Sequence, residues 1–147
     1  MSMIVNRRDL DFVLYETLGL DKILESERYA DYDRESLDAM LDLCQTIAED
    51  QFLTCASKLD ANEPQFIDGQ VETISELKEA IAAYQEAGLC ATAYDADIGG
   101  LQLPWMMDQA LNGMFVCANN PAHIYLFLTQ GVTCLLYTSP SPRDVEE

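Results

Sequence analysis

At 147 residues and a formal net charge of -18, the chain is one domain's worth of protein and strongly acidic, and Arg143, Asp144, Glu146 and Glu147 contribute only -2 of that charge near its end. A surface of this sign repels nucleic acid and anionic headgroups, which argues against roles on either. Five cysteines without a CxxC spacing and a single histidine, His123, provide no metal-ligand set.

The first predicted helix spans residues 6–18, with Asn6 as N-cap, Leu10, Val13, Leu14 and Leu18 at helical spacing, and Gly19 as its stop. A short helical turn follows from Asp21, then a polar stretch from Glu25 to Asp33. Asp33 is placed to cap the clearest helix of the chain, whose stripe is Leu37, Met40, Leu41, Cys44, Ile47, Ala48 and Cys55. Glu35 and Asp38 near its start suit the positive end of the helix dipole.

Lys58 to Thr73 holds Pro64 and Gly69 without lasting periodicity and reads as a loop. Ser75 starts a helix with Ile74, Leu77, Ile81 and Tyr84 on one face and Glu76, Lys78, Glu79 and Glu86 toward water. Gly88 sits where a left-handed residue closes that helix, a conformation glycine adopts without a Cβ penalty. Gly99-Gly100 marks a second turn, and Pro104 suits the first turn of the next helix.

That next helix turns Met107, Leu111, Met114, Phe115 and Ala118 inward, while Trp105, Met106 and Val116 point elsewhere. A further helix, opened by Asn120-Pro121, carries Ile124, Leu126, Phe127 and Leu128, and no charged residue lies between Asp108 and Arg143. Helices this apolar must be covered on several sides, by further chain or by a partner. The break at Asn119-Asn120-Pro121 excludes a simple membrane span. Every periodic segment fits the helical template and no alternating run marks a strand, so the fold class predicted is all-α, a helical bundle of four to six helices.

The start lacks a basic region followed by an apolar one, so no signal peptide is read and the thiols are expected to be reduced, mostly buried and cytoplasmic. Cys134-Leu135-Leu136-Tyr137-Thr138-Ser139-Pro140-Ser141-Pro142-Arg143-Asp144 matches an in-frame translation of a sequencing adapter. Residues 134–147 are therefore read as a non-native tail on a truncated chain.

The order Tyr84-x-x-Ala87-Gly88-Leu89, a short acidic loop, Gly99-Gly100-x-x-Leu103-Pro104 and an apolar helix resembles the amino-terminal helical domain of acyl-CoA dehydrogenases. Upstream, Arg8-Asp9-Leu10-Asp11-Phe12-Val13-Leu14-Tyr15-Glu16 through Leu18-Gly19-Leu20 is similar to the extra segment of a longer branch that includes methylthiopropanoyl-CoA dehydrogenases. The resemblance implies an extension at 1–32 and the helical domain, truncated, at 33–133. It further implies α,β-desaturation of an acyl-CoA thioester, fatty acyl-CoA or methylthiopropanoyl-CoA. A glutamate base takes the α-proton and FAD accepts the β-hydrogen as hydride, because side chains cannot accept one.

In that family the base lies in a later helical domain, and most FAD contacts come from that domain and a middle β-domain. The fragment alone is thus expected to be inactive and flavin-free, with no catalytic residue, no metal and no assigned cofactor-binding residue. The full-length parent is expected to form a homo-oligomer and to pass electrons to electron-transfer flavoprotein. The resemblance places Ala122, His123, Leu126, Phe127 and Gln130 on an acyl-facing wall. Each has a plainer reading: Leu126 and Phe127 as core, Gln130 as a helix cap, His123 as a satisfied core histidine. In the first reading, His123 suggests a polar or heteroatom-containing acyl chain. The competing function is a non-enzymatic acidic all-α interaction module.

Overall fold

A computed structural model describes residues 2–138, so residues 139–147 of the adapter-like segment lie outside the described residues. Helix α1 (Arg7–Asp11) runs directly into a π-helical segment, Phe12–Thr17, and α2 (Leu20–Leu24) follows. Helix α3 (Arg34–Ile47) continues through a second π-helical segment, Ala48–Leu53, into α4 (Thr54–Ala61). Helices α5 (Ser75–Glu86) and α6 (Trp105–Thr138) complete an all-α bundle.

Asp33 caps α3 as its sequence suggests: its side chain accepts from the Ser36 N–H at 2.8 Å while Ser36 Oγ accepts from the Asp33 N–H at 3.0 Å. This reciprocal box satisfies two donors that a helix start otherwise leaves unpaired. Leu37, Leu41, Cys44, Ala48, Phe52, Cys55 and Leu59 are buried along the continuous α3–α4 helix. At the centre, Phe52, Tyr84 and Phe115 meet edge to face, Phe115 with its centroid 5.0 Å from Phe52 and 4.8 Å from Tyr84. That geometry sets the positive ring edge against the negative face.

The amino-terminal segment shares this core through Leu14, Tyr15 and Leu20. Arg7 pairs with Asp42, Tyr15 Oη donates to Asp38 at 3.1 Å, and the Arg34 guanidinium stacks 3.8 Å above the Tyr15 ring. Burial, with Asp38 beside it, pushes the Tyr15 phenol up to about 12, so it remains a neutral donor.

The predicted loop and the thiols depart from the sequence reading. The stretch read as a loop contains helical residues up to Ala61 and an antiparallel hairpin, β1 (Gln65–Ile67) with β2 (Gln70–Glu72). Its turn is Asp68-Gly69, both at positive φ (50° and 82°), the pairing that matches strand twist in a two-residue hairpin. All six strand residues are exposed, so burial stamped no alternation on the sequence. The thiols also divide differently: Cys44 and Cys55 are buried, whereas Cys90 and Cys117 are exposed.

Helix α6 is broken at Asn119 (φ -162°, ψ 86°). Asn119, rather than Asn120, caps the second half, its Oδ1 accepting from the Ala122 N–H at 3.1 Å. Pro121 then falls in the first turn, where a missing N–H leaves no bond unmade. No helix among the described residues is long and apolar enough to cross a membrane.

Candidate functional site

The break in α6 brings both of its halves against one cavity of about 520 Å³. The first half supplies Trp105, Asp108, Gln109 and Asn112, and the second supplies Phe127, Gln130 and Gly131. The remaining wall is the loop after α5, including Cys90, Thr92, Tyr94 and Ile98. That loop is laced to itself, with Leu101 N–H donating to Ala91 O at 2.9 Å, Gln102 N–H to Tyr94 O at 2.8 Å and Leu103 N–H to Thr92 O at 2.8 Å. From outside, Gln102 Nε2 donates to Arg28 O at 2.7 Å, Arg28 pairs with Asp95, and the Tyr32 hydroxyl donates to Leu101 O.

A polar seam runs behind the apolar walls. Gln130 Nε2 donates to Tyr84 Oη at 3.2 Å and to Leu89 O at 3.3 Å. Tyr84 Oη donates to Asn112 Oδ1 at 3.3 Å, and His123 Nε2 lies 3.1 Å from the same oxygen. An amide oxygen only accepts, so this arrangement assigns the hydrogen to His123 Nε2. Nearer the loop, the Thr92 hydroxyl donates to Asp108 Oδ1, and Gln109 Nε2 donates to Asp108 Oδ2 at 2.9 Å. Burial raises the Tyr84 phenol well above its ordinary range, against the pull of its Gln130 hydrogen bond, and it stays neutral.

The five residues placed on an acyl wall by resemblance occupy two depths. Phe127, half exposed, and Gln130 line the cavity. Ala122 and Leu126 belong to the core cluster. His123, only 1% exposed, is stacked on Phe115 (centroids 6.3 Å apart) and lies behind the cavity, against Phe127 (centroids 6.1 Å apart) and Asn112. The sequence reading did not single out Trp105, Asp108 or Asn112. Polar residues on an otherwise apolar helix were the available signal, since a buried polar group needs a partner.

Burial pushes the His123 imidazole below its usual value, and the Asp108 charge pulls it partly back. The unfolded chain therefore takes up the proton first, near pH 6.5, and the stability held by the neutral ring is lost as pH falls from there toward the lower folded value. Urea midpoints of the native chain should drop between pH 7 and 5 relative to those of His123→Gln, which cannot titrate. Parallel pH profiles for the two proteins would contradict this.

Among the described residues no group of three or more His, Cys, Asp or Glu side chains could hold a metal ion. No family model matches the chain. Over 123 residues, 82% of this chain, it is 29% identical to the broad-specificity linear acyl-CoA dehydrogenase of Mycobacterium tuberculosis. The aligned stretch is 20% of that protein's length, so the chain spans about a fifth of the relative it matches. The chain is thus similar to an acyl-CoA dehydrogenase, a likeness that reaches the general family and not a substrate.

Proposed function

We propose that the chain is the amino-terminal helical part of an FAD-dependent acyl-CoA dehydrogenase and that the cavity between the halves of α6 is one wall of its acyl site. The observation that carries this reading is positional. Phe127 and Gln130, on the helix that the resemblance assigns to the acyl wall, line a largely apolar cavity of about 520 Å³. Their contribution is binding and exclusion of water: Phe127 and Trp105 offer ring surface, and Gln130 holds the seam behind them. Ala122, His123 and Leu126 back that wall from the core rather than touching a ligand.

The cavity does not fit FAD. Among the described residues Asp95 and Asp108 line it and no Lys or Arg does; Arg28, outside the lining, is already paired with Asp95, so a pyrophosphate would meet the Asp108 carboxylate without a cation to receive it. No cofactor step is therefore assigned to these residues, and the flavin contacts and the glutamate base belong to the rest of the parent protein. Acyl-CoA as substrate, electron-transfer flavoprotein as acceptor and a homo-oligomeric parent are parts of the same proposal.

The test is the native reading frame beyond Thr133, expected to encode a β-domain and a second helical domain carrying a glutamate. In the enzyme expressed from it, Phe127→Ala should change the ratio of kcat/KM between short and long acyl-CoAs by roughly 1–3 kcal/mol, the size of one or two methylenes in a pocket, with FAD retained. The purified 147-residue chain should show no flavin absorbance. A frame without those domains would favour the acidic interaction module instead.

A further inference from the structure

We propose that Asn112 makes this cavity selective for a neutral ligand that is mostly hydrocarbon but carries one hydrogen-bond acceptor, and that His123 is the positioning residue that aims it. The proposal deepens the acyl-site reading by naming what the wall recognises. Asn112 is only 7% exposed, and its Oδ1 is turned inward, receiving hydrogens from Tyr84 Oη at 3.3 Å and His123 Nε2 at 3.1 Å. The Tyr84 hydroxyl has one hydrogen to give and receives one from Gln130, so the run Gln130 to Tyr84 to Asn112 has a single direction. Among the described residues neither Nδ2 hydrogen of Asn112 meets a hydrogen-bond acceptor, and the atom is not sealed from solvent, so the cavity that Asn112 lines is their outlet.

Around that donor the chemistry narrows. Trp105, Phe127, Ile98 and Ala93 offer apolar surface, favouring a hydrocarbon body. Asp108 and Asp95 add carboxylates to the same lining; Arg28 offsets Asp95, and an anionic head group would be repelled by Asp108. A ligand without an acceptor would strand the buried amide, a penalty that an isosteric ketone or ether oxygen avoids.

The single tryptophan of the chain, Trp105, lies in the cavity wall and reports occupancy by its own fluorescence. Titrating the 147-residue chain with 2-octanone, 1-octene and octanoate should give binding in the order ketone, alkene, carboxylate. The ketone should exceed the alkene by roughly five- to tenfold, as one net hydrogen bond allows. Asn112→Leu should erase the ketone's advantage while alkene binding persists. His123→Phe, which cannot donate, should weaken that advantage and His123→Gln should keep it. Equal binding of ketone and alkene by the native chain overturns the Asn112 assignment while leaving an apolar acyl wall standing, and this ranking decides the matter even if a variant misfolds. No response to any probe overturns this cavity as a binding site of the chain and the Asn112 assignment with it, while the acyl-site reading is decided separately by the Phe127→Ala selectivity of the full-length enzyme.

Discussion

Asn119→Leu is expected to lower the unfolding free energy by about 2–4 kcal/mol, read from urea denaturation with the slope unchanged. Asn119 is 4% exposed and does two things at once. Its Oδ1 caps the second half of α6 through Ala122 N–H, and its Nδ2 donates at 3.0 Å to the Phe52 carbonyl, which lies in the π-helical segment. Cys55 Sγ, a weak donor, also reaches that carbonyl at 3.4 Å. Leucine removes the cap, typically about 1 kcal/mol, and leaves a buried carbonyl short of a hydrogen bond, about 1–3 kcal/mol more. Asn119→Ser retains an oxygen for the cap but is too short to reach Phe52, so it should fall between the native chain and the leucine variant. A leucine variant within about 0.5 kcal/mol of the native chain, the range of a neutral surface change, would show that neither bond matters.

Gly100→Ala should cost about 3 kcal/mol, the upper end of what overpacking does, and should abolish ligand response at Trp105. A Cβ at Gly100 would stand 2.1 Å from the Tyr94 carbonyl oxygen and 2.4 Å from its carbon. The obstacle is backbone and cannot rotate away. Tyr94 O is also held by the Gln102 N–H, and Tyr94 Oη donates to Gln130 O at 2.9 Å, so moving the loop disturbs the cavity wall directly. Gly113→Ala, on α6 with nothing within 4 Å of the added atom, is the matching control and should be neutral or better. A Gly100→Ala protein with native melting and native probe binding would refute the close approach.

Much of the fold was legible because its signals act over one helical turn. The Asp33 cap three residues before Ser36, the stripe from Leu37 to Cys55 and the stop at Gly88 (φ 74°) are all local. The hairpin escaped because exposed strands carry no burial pattern, although Asp68-Gly69 was a usable turn signal. The two π-helical segments escaped because an apolar stripe tolerates one added residue per turn.

By itself the sequence determined the helical fold class, the strong acidity, and the likeness to acyl-CoA dehydrogenases carried by short glycine-marked stretches. It also placed Phe127 and Gln130 on a helix with an apolar face. Only the tertiary structure decided that His123 lies behind the cavity rather than in it, that Asn112 is the polar group left facing it, and that Asn119 ties the break in α6 to a π-helical carbonyl 67 residues earlier. The physical reason is range. Periodicity, caps and turns depend on neighbours within about four residues, whereas the facing of a buried amide depends on which donors the fold brings to its oxygen, and those came from positions 11 and 28 residues away.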